Sequence, residues 1–413
     1  MSLSATHLWA YFGEWSERAI AWELLALARE GVDLRILSFR PARAQAEEDP
    51  AIGQRVSDLD PFPRLGGTAG AALGSLASLP AALLRPKDLA SGHQLAQKHW
   101  ASGFGLRFRS AARRAALERR LRAAPPDVLH AQHAHVGWWA LPAARSMGVP
   151  LVVSVRGIDL ILLEKLAEGR WGEFAESPCL LLARSGEMAE RLRRGGAPPE
   201  RVAVHPSGIP VDEIPFRERH PPDSGANPAI VSVGRLVPKK GMEDAIRAFA
   251  ASAEAARLGA VLRIVGDGPL RGDLEALARR LEVAKRVSFL GRLCHSDAVA
   301  EMSRADVFLL ASRAAGDGDR EGVPNAVKEA AASGLPVVST THAGIPEAVR
   351  HGETGLLAPE GDADALTRAL DEVLARPEQW AEMGRKGRAL VEAKYDVRAL
   401  ARKLVERYQS IVV

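Results

Sequence analysis

The sequence predicts an α/β protein made of two doubly wound domains that face each other across a cleft. Three observations predict it. At 413 residues the chain is too long for one ordinary hydrophobic core, so two domains are expected. Short β-branched runs alternate with helical stretches along most of the chain, the pattern of parallel sheets with crossover helices. A polar segment with three prolines, FRERHPPDSGANP (216–228), interrupts that alternation, and it restarts afterwards. The expected organisation is therefore an N-terminal domain over 1–215, a linker over 216–228, and a second domain over 229–390. A C-terminal helix over 391–413 is expected to pack back toward the first domain.

The first domain opens with a strand at HLWAYF (7–12), a turn, an amphipathic helix over about 16–30, and a strand at DLRILSF (33–39). Residues 62–122 are rich in Ala, Leu, Gly and Arg and read as helices. Further strands are expected at DVLHA (127–131), PLVVSV (150–155), CLLLAR (179–184) and RVAVHP (201–206). In the second domain the expected strands are AIVSVG (229–234), VLRIVGDG (261–268), RVSFLG (286–291), DVFLLAS (306–312), PVVST (336–340) and GLLAP (355–359), each followed by a helix except the last. Ligands of such sheets sit at the carboxyl ends of the strands.

Composition sets bounds on function. Hydrophobic residues make up 47% and charged residues 26%, ordinary for a globular protein. Cys179 and Cys294 both sit near apolar segments and read as buried thiols in a reducing compartment. There is no apolar run of membrane-spanning length and no basic-then-apolar leader, so a cytoplasmic protein is expected. The net charge of +4 lies in the first half: 26 Lys+Arg against 22 Asp+Glu through Asp212, and 29 of each thereafter. Seven arginines fall in LRFRSAARRAALERRLR (106–122). That block reads either as a solvated helix face or as a contact for an anionic membrane or anionic acceptor lipid. Phe108 is its one aromatic and it carries no recognisable binding module, so no nucleic-acid partner is expected.

The sites cluster in the second domain. SVGRLVPKKG (232–241) places Arg235 and Lys240 on the loop after the first strand, beside Gly234, where an anion would bind. GDGPL (266–270) follows the second strand, and Gly266 and Gly268, with Pro269, would let a flat base or phosphate approach the backbone. FLGRL (289–293), with Arg292, would supply the other wall of a base slot. In EGVPNAVKE (321–329), Pro324 suits the first helical position, and the amides of Gly322, Val323 and Asn325 would cluster at a positive helix end. Cations there outweigh the dipole as phosphate clamps, at about 1.5–3 kcal/mol per charge-assisted bond against about 0.3–2 for the dipole. Carboxylates suit neutral hydroxyls instead. Glu329 would take a ribose diol and Glu321 the hydroxyls of a sugar beyond the phosphates, so the spacing reads as a ruler for a sugar nucleotide.

These motifs together resemble the retaining GT-B glycosyltransferases of family 4, above all the branch that builds bacterial exopolysaccharides such as colanic acid and amylovoran. YFGEWSERAIAWELLAL (11–27) resembles that family's P-x-x-S-E-T-F-I-x-x-E opening, and VSVRGIDL (153–160) its H-G-x-D segment. VGRLVPKKG, VGDGP and FLGR match in order, and EGVPNAVKEAAASGLPVVSTTHAGIPEAVRHGETGLL (321–357) matches its E-x(7)-E signature and the region beyond it. The resemblance implies a retaining hexosyltransferase that takes a nucleoside diphosphate sugar as co-substrate and needs no metal. It implies an acceptor that is a glycan or a polyprenyl-linked glycan; peripheral contact with the inner face of an anionic membrane is the expectation that the arginine-rich block adds. By position, Arg235 and Lys240 would hold the leaving diphosphate, Glu321 the donor sugar, Glu329 the ribose, and Gly266, Gly268 and Arg292 the base. The Gly13 turn would face the phosphates from the first domain, and the Arg156–Asp159 segment would lie near the reacting centre. Arg156 stands where many members carry histidine, which puts a permanent cation in place of an imidazole.

Other features admit a different chemistry. DGD (317–319) spells a metal-binding D-x-D, but it precedes a helix start in a doubly wound domain, so no metal role is expected. His130, His133 and His135 lie in HAQHAHVGW. His133 and His135 read as acceptor-side polar residues at a strand end, with metal ligation as the alternative disfavoured for want of an acidic or cysteine partner nearby. A sugar-nucleotide epimerase, which can share two facing doubly wound domains, is the alternative to a transferase.

Overall fold

The computed structural model describes residues 3–9, 18–38, 117–157, 159, 170–176, 178–221, 226–316 and 318–412. The Gly13 turn and most of the arginine-rich block lie outside these residues.

The first sheet holds β1 (Ser4–Trp9), β2 (Asp33–Ser38), β3 (Val128–Ala131), β4 (Leu151–Val155), β5 (Cys179–Ala183) and β6 (Val202–Val204). Its order is β2-β1-β3-β4-β5-β6 and every pairing is parallel. The second holds β7 (Ala229–Val233), β8 (Val261–Val265), β9 (Val287–Gly291), β10 (Val307–Leu309), β11 (Val337–Thr340) and β12 (Gly355–Ala358). Its order β12-β11-β10-β7-β8-β9 is that of the dinucleotide-binding doubly wound fold, with the topological switch between β7 and β10. The central strands are buried on both faces; β3 and β4 have no exposed residue. That is why they read as unbroken apolar runs rather than as alternating ones.

The helices that bear on the cleft are α1 (Arg18–Arg29), α2 (Ala134–Met147), α3 (Gly186–Arg194), α4 (His295–Arg304), α5 (Asn325–Ala332), α6 (Trp380–Tyr395) and α7 (Val397–Ile411). The chain crosses back at the α6–α7 junction. The Ile209 amide donates to the Tyr395 carbonyl (2.9 Å) and the Val397 amide to the Ile209 carbonyl (3.0 Å). Asp396 caps α7 by accepting from the Arg398 and Ala399 amides. From there α7 packs on α1, burying Leu404 and Tyr408, each worth about 1.5–3 kcal/mol. One apolar cluster runs from Trp22 and Leu27 on α1 through Leu404 and Tyr408 into the second sheet.

The polar segment after residue 215 is anchored at its start. Arg219 is buried, and its guanidinium donates to the carbonyls of Ala305 (2.8 Å), Met302 (3.0 Å) and Ser333 (3.1 Å). It also donates to the Arg217 carbonyl, and these four carbonyl acceptors compensate the buried cation. The cysteines differ from expectation in one respect. Both are free and Cys179 is buried, but Cys294 is exposed, because it precedes α4 on the surface rather than lying in a strand.

Candidate active site

The carboxyl ends of the two sheets meet. Gly157, after β4, lies so close to the second domain that an added Cβ would stand 2.4 Å from the Arg320 carbonyl oxygen. Just after β5, Arg184 faces Gly322, and the Gly186 amide at the start of α3 donates to Glu347 Oε1 (2.8 Å) across the domains.

On the second-domain side, the loops after β7 and β8 run together. The Gly234 amide donates to the Val265 carbonyl (3.0 Å) and the Leu236 amide to the Asp267 carbonyl (2.9 Å). A Cβ at Gly266, whose φ is +139°, would fall 1.9 Å from the Gly234 oxygen, and one at Gly268 would fall 2.5 Å from the Leu236 oxygen. These glycines are therefore required by the approach of one loop to the other. Pro269 and Arg292 are exposed at the strand ends.

Glu321 sits among cations. Lys240 Nζ is 3.1 Å and Lys239 Nζ 3.7 Å from its Oε1, and Lys239 also reaches Asp319 Oδ2 at 2.9 Å. Burial pushes the Glu321 carboxyl upward, but Lys240, Lys239 and Arg235 overcome it and hold the group below the usual carboxylate range. The Arg235 side chain is the exposed cation of this set. The loop that carries Glu321 is fixed from behind. Its amide donates to His342 Nε2 (3.2 Å), and His342 Nδ1 hydrogen-bonds the Glu360 carboxylate. Burial lowers the His342 pKa, which favours the neutral tautomer that accepts the Glu321 amide.

Pro324 occupies the N-cap of α5, one residue before the expected position, with extended backbone (φ −58°, ψ 132°), and Asn325 is the first helical residue. Gly322 and Val323 precede it, and the Gly322 carbonyl accepts from Gly344 (3.0 Å). Glu329 projects from α5 into a buried position 3.2 Å from His295 Nε2, and the His295 ring lies 5.1 Å from Trp22 of the first domain. Burial pushes the Glu329 carboxyl up to about 7 despite Lys328, Arg18 and Lys240. Lys328 beside it is fully buried, donates to the Ser207 carbonyl (2.6 Å), and lies over the Tyr395 ring at 5.4 Å. Burial draws its pKa down to about 7.

On the first-domain side, the Arg156 guanidinium turns to Gln132, donating from Nε to its carbonyl (3.0 Å) and from Nη2 to its Oε1 (3.1 Å). The Arg156 amide donates to Asp159 Oδ2 (2.9 Å). Asp159 is buried and faces His135 Nδ1 at 3.1 Å and His133 Nδ1 at 3.6 Å. The acidic partner that the sequence did not reveal for these histidines is therefore Asp159. It stands 24 residues after His135, brought back by the β3–α2–β4 crossover. Beneath them lies a buried network. Arg184 donates to Glu23 Oε2 (3.0 Å), to Ser154 Oγ (2.8 Å) and to the His205 carbonyl (3.2 Å), and Gln132 donates to Glu23 Oε1 (3.3 Å).

The structure thus brings together Glu321 and Lys240, with Arg235 close enough to act on Glu321 electrostatically, and sets Arg156 and Asp159 on the facing domain. Glu329 lies on the same α5 helix against His295 and Trp22. Lys239, His342, Glu360, Lys328 and His295 are the participants that sequence reasoning missed. A lysine between Val327 and Glu329 in an otherwise alanine-rich helix was the available signal for Lys328.

Known families match both halves of the chain. Residues 18–213 match the family described as Glycosyltransferase Family 4, and residues 215–390 match Glycosyl transferases group 1. The chain is 34% identical over 294 residues to the Salmonella typhimurium glycosyltransferase WcaL, named for colanic acid biosynthesis, covering 69% of this chain and 72% of that protein. It is 31% identical over 289 residues to the GDP-mannose-dependent alpha-(1-6)-phosphatidylinositol monomannoside mannosyltransferase of Mycobacterium tuberculosis, covering 68% of each. The fold is shared with Anabaena HepE, solved in complex with UDP and glucose, at a TM-score of 0.72 and 18% identity over 99% of this chain and 100% of that one.

Proposed function

This chain belongs to the family 4 glycosyltransferases of GT-B fold, and from that premise we propose that it moves a hexose from a nucleoside diphosphate sugar to a hydroxyl of a glycan or polyprenyl-linked acceptor. The setting is bacterial polysaccharide or glycolipid assembly, and the anomeric configuration is retained. The observation that carries the reading is the set of cations, Arg235, Lys239 and Lys240, gathered at the carboxyl end of β7 around Glu321.

Departure of the diphosphate is the hard step. Negative charge grows on the leaving phosphate, and fixed cations that need no reorganisation stabilise it most where it grows. Arg235 and Lys240 supply that charge without a metal. Glu321, held low by the same lysines, accepts hydroxyls of the donor sugar while Lys240 shifts part of its interaction to the phosphate. Glu329 accepts the ribose diol, displacing His295. The acceptor attacks from the face that the diphosphate leaves, and the leaving phosphate takes the acceptor proton. Peripheral membrane contact through the arginine-rich block would bring a lipid-linked acceptor to the cleft; among the described residues no helix is long and apolar enough to cross a membrane.

The test is turnover with a panel of UDP- and GDP-hexoses, with and without a lipid-linked acceptor. A transferase forms nucleoside diphosphate faster with acceptor and hydrolyses donor slowly without it. Interconversion of the sugar by the protein with donor alone would establish an epimerase instead, a reading the transferase relatives give no support.

Nucleotide affinity depends on the Glu329 environment. Its carboxyl titrates near 7 in the free protein, and two hydroxyl donors favour the charged form, so the bound pKa falls. The bound state therefore carries fewer protons than the free state below about pH 7, and affinity rises with pH up to there and is level above. Calorimetric titration with UDP or GDP should show a fall approaching tenfold per pH unit below about 7. In Glu329→Gln that slope should vanish.

A further inference from the structure

We propose that His133, His135 and Asp159 form a binding site for Zn²⁺ on the first-domain side of the cleft, an inference that does not rest on the transferase reading. His133 and His135 flank Ala134 at the start of α2, and Asp159 follows β4 on the adjacent strand end. The three side chains come from segments that parallel pairing of β3 and β4 fixes side by side, so their convergence belongs to the scaffold.

The geometry suits one ion. Both Nδ1 atoms face the same carboxylate, His135 toward Oδ1 at 3.1 Å and His133 toward Oδ2 at 3.6 Å. One ligand atom from each residue lies within 4.8 Å of the other two. A tetrahedral zinc with bonds of about 2.0–2.1 Å sets its ligands about 3.3 Å apart. One of the three separations, His135 Nδ1 to Oδ1 at 3.1 Å, is already there, and with all the ligand atoms within 4.8 Å small side-chain rotations, chiefly of the half-exposed His135 ring, close the others. Asp159 Oδ1 completes the set while Oδ2 keeps its bond from the Arg156 amide (2.9 Å), the outer-sphere support that metal-bound carboxylates have. A carboxylate with no exposed surface requires compensation. The two imidazoles and the Arg156 amide supply it in the metal-free chain, and a divalent ion held between the imidazoles and the carboxylate would take over that role. Two imidazoles and a carboxylate match a borderline cation rather than Mg²⁺, and three protein ligands leave the fourth position open on the His135 side.

The experiment is calorimetry of the untagged, EDTA-treated full chain with Zn²⁺ and, separately, Mg²⁺, with zinc content by mass spectrometry after dialysis. We expect one Zn²⁺ per chain, a tetrahedral absorption spectrum when Co²⁺ replaces it, and no heat with Mg²⁺. His135→Ala, at a half-exposed position that the fold tolerates, should weaken zinc more than about a hundredfold, since loss of an outer partner alone costs about 10–100-fold. Asp159→Asn should do the same, with circular dichroism reporting whether it folds. Absence of stoichiometric zinc in the wild-type chain, or zinc binding unchanged in His135→Ala, overturns the proposal.

Discussion

Arg235→Ala lowers kcat by about 10²–10³-fold and leaves the fold intact. The magnitude is that of removing one fixed charge or donor from the position where transition-state charge appears. Arg235 is the cleanest of the three cations to remove, because its side chain is exposed and its loss exposes no buried partner. Lys240 is different: it sits 3.1 Å from the largely buried Glu321, so its removal also relaxes the carboxylate and mixes two effects. If the guanidinium acts mainly on the leaving phosphate, kcat and kcat/KM for the donor fall together. A fall in kcat/KM with kcat preserved would place Arg235 in ground-state binding instead. Turnover near that of the wild type would remove it from the diphosphate clamp. Steady-state kinetics with the best donor of the panel decides among the three.

The range of each interaction decides how far the sequence discloses it. Parallel strands buried on both faces must be apolar throughout, so each of the twelve strands among the described residues announces itself locally, and only the ends shift by a few residues. Arg235, Lys240, Glu321 and Glu329 can be singled out because each lies at a strand end or helix start whose turn residues mark it. Electrostatic partners carry no such local mark. Glu23 and Arg184 are 161 residues apart, Glu360 meets His342 from the loop after β12, and His295 meets Glu329 from another helix. Nothing periodic in the sequence joins these pairs. The conformational freedom of Gly266 and Gly268 is legible, but their neighbour is not: the loop after β7 approaches them. Asp159 is marked in the sequence by the Arg156–Asp159 segment and His133 and His135 as a strand-end pair, yet only the crossover from β3 to β4 unites the three.

Arg184→Met destabilises the protein by about 3–5 kcal/mol, the cost of leaving one member of a buried ion pair without its partner. Arg184 and Glu23 are each about 5% exposed and 3.0 Å apart. Burial alone would raise the Glu23 carboxyl; Arg184, followed by the His205, His130 and Arg156 contributions, holds it far below the usual carboxylate range. The pH dependence has one direction for all these groups, though the window differs. Glu23 has a depressed folded pKa, so its stabilisation is present above the ordinary carboxylate value and is lost as pH falls below it. Burial lowers His7 to about 4 and His205 to about 3; these imidazoles are also depressed, so their stabilisation is present above about 6.5 and is lost as pH falls toward those values. Wild-type stability therefore declines with acid in two overlapping stages, histidines first and Glu23 after. In Arg184→Met the second stage shrinks, because Glu23 no longer holds its proton off so strongly. The pair is separable from the packing around it by a cycle: Glu23→Gln/Arg184→Met should recover most of the loss, since no buried charge is left uncompensated. Urea unfolding of the wild type, both single variants and the double variant at about pH 7.5 and about pH 5, either side of the histidine stage, reads all of this. Additive losses in the double variant would show that Arg184 stabilises through Ser154 and the His205 carbonyl rather than through Glu23.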